Sequence, residues 1–174
     1  PSTVCSDFWG GSYPWASGKD LKTRRLMNTE DSLTASGWRE ATVAPRGATL
    51  VVVRGMILAH TFPVVRCEQD TAFNQDLRAL VAKDGLLPDY LLLWTEWAGP
   101  WFLSCCAASS HGTKRIEGRV FEHALIPVPS LREQQKLIAE QKAIAEAIDT
   151  LSGRTDANGT FNKCMMKTLL GGQA

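Results

Sequence analysis

The usual signatures of catalysis are missing from this 174-residue chain. It has no glycine-rich loop ending in Lys-Ser or Lys-Thr, which excludes a P-loop phosphate cradle, and no Gly-x-Gly-x-x-Gly for a dinucleotide. It has no Gly-x-Ser-x-Gly elbow for a serine nucleophile. Five cysteines occur without a Cys-x-x-Cys pair, and four short-spaced ligands for structural zinc are absent. Buried reduced thiols are the expectation. The most apolar stretch, Leu86 to Leu103, is interrupted by Asp89, Glu96, Gly99 and Pro100, so no membrane span is expected. No signal peptide is visible, and Pro1 implies a processed, cut or incomplete start; a cytoplasmic location is expected. Excess charge is also lacking. The formal net charge is +1, so affinity for nucleic acid would have to come from local cationic groups.

What is present fits a core-forming α+β chain, with 44% hydrophobic and 21% charged residues. Thr49 to Arg54 is β-branched and almost wholly apolar, hence a central strand stopped by Gly55. Further strands are expected at Thr61 to Arg66 and Leu77 to Val81, and an extended piece at Val120 to Val128. Pro88 to Trp97 reads as a buried helix. Residues 28 to 37 fit a short helical turn capped at Asn28 or Ser32. The architecture expected is a compact mixed domain over 1–129 with a twisted, mostly antiparallel sheet.

A helical region over 130–174 follows. Pro127 and Pro129 end the extended run, and Ser130 with Glu133 has capping-box spacing. Leu137, Ile144 and Leu151 repeat every seventh residue, with Gln141 and Ile148 between them, which is a coiled-coil seam for a partner helix. Ser152 to Thr160 reads as a turn-rich linker, and Phe161 to Leu170 as a short second helix closed by Gly171-Gly172.

Three cationic groups fall in loops or at strand ends. They are Lys19, Lys22, Arg24 and Arg25; then Arg54 with His60 and Thr61; then His111, Thr113, Lys114 and Arg115 in a loop from Ser109. Converging at one sheet edge, they would offer charge to phosphates and mixed donors to base edges. Catalytic and metal sites are not expected. Asp89 and Glu96 as metal carboxylates, or His111 with Cys105 and Cys106 as a thiol site, lack a partner at useful spacing.

The order of these features resembles one half of a specificity subunit of type I restriction–modification systems. The resemblance rests on Tyr13-Pro14-Trp15 with Asp20-Leu21, on Leu50 to Gly55, on Phe73-Asn74-Gln75-Asp76 and on Gly112-Thr113. Its most specific part is Ile126-Pro127-Val128-Pro129-Ser130-Leu131-Arg132-Glu133-Gln134, and Leu169-Leu170-Gly171 adds to it. The resemblance implies a target-recognition domain followed by a helical spacer, reading double-stranded DNA without performing chemistry and without a cofactor of its own. It implies methyltransferase subunits, which bind S-adenosylmethionine, and a restriction subunit as partners. Family members usually carry two recognition domains and two spacers, and this chain has one of each. It is therefore expected to be a fragment or a half-subunit that forms a homodimer through its spacer helices. Ser130 stands where the family often has another proline. Two other readings remain: a helix-mediated interaction adaptor without DNA binding, and a small nuclease built around Asp89 and Glu96.

Overall fold

The computed structural model describes residues 5–108 and 113–170, with side chains over 5–107 and 113–151. In chain order the strands and helices are β1 Trp9–Ala16, β2 Arg25–Leu26, β3 Asp31–Leu33, α1 Ala35–Arg39, β4 Val43–Ala44, β5 Thr49–Val52, β6 Arg54–Gly55, β7 Val64–Cys67, β8 Thr71–Phe73, β9 Leu77–Leu80, α2 Pro88–Trp97, α3 Gly99–Ser104, β10 Ala107–Ala108, β11 Lys114–Arg115, α4 Gly118–Glu122 and α5 Leu131–Leu170. Two compact units are distinguished, Pro1–Gln134 and Gln135–Ala174.

The first unit is a mixed α+β body of three small sheets, ordered β3-β1-β8-β4, β2-β7-β5-β9 and β10-β11-β6. Pairing is antiparallel except for β1 with β8 and β2 with β7. As its composition dictates, β5 is an inner strand, hydrogen-bonded on both sides and buried at every residue. Gly10 and Gly11 lie where β1 bulges, both Trp9 and Tyr13 pairing with Leu33. Gly10 has φ +80°, and a Cβ on Gly11 would collide with the Leu33 carbonyl, so this bulge requires glycine.

The core joins Leu26, Leu50, Val52, Val65, Leu77 and Ile116 to an aromatic cluster around the fully buried Phe102. Phe62 and Phe121 stack on Phe102 with centroids at 4.9 Å, and Trp94 meets it edge-on at 6.0 Å. Cys67 is buried, and that burial pushes its thiol up to about 11, so it is protonated and inert at neutral pH. Burial also raises the Cys106 thiol.

The Ser130–Glu133 capping box forms: the Ser130 N–H and Oγ donate to Glu133 Oε2 at 2.9 and 2.7 Å, and the Glu133 N–H reaches Ser130 Oγ at 3.4 Å. These bonds hold the Glu133 carboxyl below the usual carboxylate range. Within the first unit, the Gln134 side chain is fully buried. Its amide donates to the carbonyls of Gly85 at 2.7 Å and Pro129 at 2.8 Å, and its oxygen accepts from the Leu87 N–H at 2.9 Å. Tyr90 adds a 3.0 Å bond to the Pro127 carbonyl. The last residue of the Ile-Pro-x-Pro-x-Leu-x-x-Gln signature is thus a backbone clasp.

Several expectations are corrected. The helical turn over 28 to 37 is α1, beginning at Ala35 and capped by Thr34, whose Oγ1 accepts from the Gly37 N–H at 3.3 Å. Residues 31 to 33 are claimed by pairing with β1. The strand expected from Thr61 begins only at Val64, because Pro63 cannot donate to the ladder. Residues 118 to 122 form α4, and the segment from 124 to 130 carries no regular element. Lys114 lies in β11 rather than in a loop. The turn-rich linker and second helix expected after Leu151 are continuous with α5. Proline is absent from 131–170, and an interior glycine costs only about 1 kcal/mol, too little to break a helix rich in Lys, Leu and Met. Gly171 and Gly172 lie outside the described residues.

Candidate nucleic-acid interface

The second and third cationic groups meet in the sheet β10-β11-β6. β6 and β11 pair antiparallel, Arg54 opposite Arg115 and Gly55 opposite Lys114. Like charges directly opposite on paired strands destabilise a sheet. Each arginine leans on a carboxylate at the outer limit of an ion pair, Arg54 on Asp76 and Arg115 on Glu117, both at 3.7 Å. Among the described residues no salt bridge involves Lys114. This is a sheet with two guanidiniums and an ammonium that the fold only loosely compensates.

The frame beneath is firm. The N–H groups of Val53 and Arg54 donate to the Asp76 carbonyl at 2.8 and 3.3 Å, and the Ile116 N–H donates to Val53 at 2.9 Å. Asn74 shapes the turn that presents Asp76, accepting its N–H at 3.1 Å. His60 ends the 3₁₀ turn Met56–Ala59 that follows β6, and the N–H groups of His60 and Thr61 both donate to the Ile57 carbonyl at 3.0 Å. Thr113 is half-buried just before β11; His111 lies outside the described residues.

The first group stands differently. Lys19 pairs with Asp31 at 2.8 Å and Glu30 at 3.3 Å, and Lys22 with Glu30 at 2.9 Å. These bonds raise both ammonium values and lower that of Glu30. Asp20 secures the loop, accepting from the N–H groups of Ser17 and Glu30 at 2.8 Å each. Arg24 grips Glu96 with two bonds of 2.7 Å. Arg25 reaches Glu68 at 2.6 Å and Asp89 at 3.1 Å. The loop adjoins the second group all the same. Lys22, Thr23 and Arg24 line one cleft of about 410 Å³ together with Ile57, Thr61 and Pro63.

Asp89 and Glu96, the imagined metal carboxylates, are therefore arginine partners. Among the described residues no cluster of three or more His, Cys, Asp or Glu is placed to hold a metal ion. No helix among them is long and apolar enough to cross a membrane. In the second unit Leu137, Ile144, Ile148 and Leu151 are exposed and Gln141 is half-buried.

Comparison with known proteins gives this geometry a family. The model of the type I restriction modification DNA specificity domain matches residues 6–162. The chain belongs to that family. Its relatives include the EcoR124I/EcoR124II specificity subunit of Escherichia coli, 26% identical over 155 residues, covering 87% of this chain and 37% of the relative. The MjaIX specificity subunit of Methanocaldococcus jannaschii is 28% identical over 144 residues, covering 79% and 32%. The chain thus spans about a third of the length of these curated relatives. Two solved structures share the fold. A chain from work on complex assembly and conformational transition of the type I R-M system matches with TM-score 0.75 at 20% identity, covering 98% of this chain and 40% of that one. The HsdS subunit from Thermoanaerobacter tengcongensis matches with TM-score 0.62 at 18% identity, covering 84% and 34%.

Two residues went unassigned in the sequence. Arg66 is mostly buried and bridges Asp89 at 2.6 Å and Glu68 at 3.2 Å, tying β7 to α2. Its only sequence signal was a charge inside an apolar strand. Gln134 closes the proline-rich signature, but one polar residue in a helix's first turn gives no sign that it faces backbone rather than water.

Proposed function

We propose that this chain is a sequence-reading unit for double-stranded DNA. It performs no chemistry itself and directs methyltransferase and restriction subunits to a target. The observation that carries this is the β6–β11 pairing of Arg54 with Arg115 beside Lys114. A fold gains nothing by setting like charges opposite each other, so the arrangement points to an external polyanion that relieves the repulsion. Membership in a DNA specificity family supports the same reading. The absence of a catalytic motif from the sequence accords with a subunit that selects sites and leaves the chemistry to others. The site is in the cytoplasm, where such subunits meet DNA.

The exposed Leu137/Ile144/Ile148/Leu151 stripe docks a second copy, so that two half-sites are read at once.

The test is duplex binding at several salt concentrations. Lys114→Ala with Arg115→Ala should weaken binding to random and target duplexes alike and flatten the salt dependence by nearly two units of slope, about 0.9 for each phosphate left without its cation. An unchanged slope removes this sheet from the interface. A wild-type chain that shifts no duplex even at low salt favours the adaptor reading, in which α5 alone acts.

A further inference from the structure

We infer that Met56 is a specificity-determining residue that touches a thymine methyl group in the major groove. The inference rests on the DNA-reading function proposed above and deepens it. Met56 is 75% exposed and Ile57 beside it 45% exposed, an apolar tip on the turn that immediately follows Arg54-Gly55. Single exposed hydrophobes are ordinary. This one adjoins paired strands and a cleft that carry cations. Arg54, Lys114 and Arg115 stand before it on β6 and β11, and the cleft that Ile57 lines carries Lys22 and Arg24. An apolar tip adjoining cations complements a groove, where phosphates flank base edges. The thymine C5-methyl is the apolar group displayed there.

The tip is also held in place. Gly55 has φ +151°, a conformation that side chains rarely adopt, and it leads directly from β6 into the turn Met56–Ala59. Leu58 anchors the turn in the core at 3% exposure, and Ile57 is held by the N–H groups of His60 and Thr61. A fixed backbone carrying one unbranched, adaptable side chain suits contact with a methyl group whose exact position varies with DNA shape. Solvation of most of the Met56 side chain means that replacing it leaves the fold intact.

The experiment begins by enriching duplexes from a random-sequence pool with the full chain. Enriched and random duplexes are then bound by wild type, Met56→Ala and Met56→Leu, and each thymine of the enriched duplex is replaced in turn by deoxyuridine. The expected result is that Met56→Ala loses about five- to tenfold on the enriched duplex, the low end of what one altered base pair costs. Binding to random duplex and the salt slope stay unchanged, and Met56→Leu restores most of the loss. One deoxyuridine position should weaken wild type by the same factor and leave Met56→Ala unaffected, the coupling expected of groups that touch. Equal losses on both duplexes, no loss on either, or no responsive thymine would each overturn the assignment. Failure of wild type to enrich any sequence would instead overturn the DNA-reading function, and this inference with it.

Discussion

Replacing Gln134 by leucine is the sharpest test of the physical account of the body. The side chain is fully buried and makes three bonds of 2.7 to 2.9 Å to backbone groups of Gly85, Leu87 and Pro129. Leucine has similar bulk and can make none of them. Leu87 is half-buried, and leaving its N–H unpaired costs roughly 2 kcal/mol, from the range of 1–3 for an orphaned buried group. Each carbonyl keeps a second lone pair, and Gly85 is an exposed residue and Pro129 a half-buried one, so each loses about 0.5–1 kcal/mol. Greater apolarity of leucine offsets about 1 kcal/mol. The net loss is about 2–3 kcal/mol, which for a unit of this size lowers Tm by roughly 6–12 °C.

Calorimetry or circular dichroism reads this directly, and Gln135→Leu is the control. That neighbour is exposed, and its replacement should stay within about 0.5 kcal/mol of wild type. Gln134→Glu sharpens the test, because it keeps the shape and the acceptor for Leu87 while turning a donor into a second oxygen facing two carbonyls. Burial and those carbonyls raise the pKa of the new carboxyl above its unfolded value. Its penalty is therefore smallest in acid and grows as pH rises through the folded pKa toward 7. If Gln134→Leu melts within 2 °C of wild type, the clasp carries no stability. The reasoning that ties the signature glutamine to the fold is then wrong.

The remaining predictions concern the helix and the acid limb of stability. Ile144→Asp with Ile148→Asp should convert the proposed dimer to monomer in sedimentation or light scattering while leaving the melting of the first unit unchanged; a variant that stays dimeric removes the seam. Burial raises the Glu68 carboxyl, but Arg25 and Arg66 outweigh it and hold the group below the usual carboxylate value of 4.5. A depressed folded pKa stabilises above the unfolded pKa and is lost as pH falls through the folded one. Stability measured by urea titration should thus decline below about pH 4.5, and Glu68→Gln should flatten that decline; an unaltered acid limb in the variant removes Glu68 as its cause.

Elements whose pattern is local were legible in the chain. β5 is β-branched, almost wholly apolar and lies inside its sheet, α2 spans the residues its composition marks, and the Ser130–Glu133 cap forms at its sequence spacing. What escaped depends on pairing across the sequence. Nothing near Asp31 shows that residues 31 to 33 will be taken by β1, and nothing near Lys114 shows that it pairs with Gly55, 59 positions away. The charge state of the first cationic group was equally hidden. Arg24 and Glu96 are 72 residues apart, and a linear reading sees a basic run where the fold makes ion pairs. The three short sheets, rather than one, follow from the same non-local choices.

On the proposed DNA-reading function, those ion pairs decide how work would divide among the cations. An exposed pair is worth about 0–1 kcal/mol, so Lys19 and Lys22, with partners that are themselves half exposed, can leave Glu30 for a phosphate at little cost. Arg66 cannot, because its guanidinium and Glu68 are both mostly shielded and breaking the pair strands a charge. Arg24 lies between these limits, lining the cleft that Thr61 shares and bound bidentate to a partly shielded Glu96. Its carboxylate partner must be surrendered before it can serve DNA, and that geometry suits it better to holding the loop in place. Arg54 and Arg115 face the opposite situation. Their partners at 3.7 Å give little, and each repels the other, so a phosphate set between them gains from both. The free energy of duplex binding should therefore concentrate in β6 and β11, with the first loop supplying a weaker and strongly salt-dependent share.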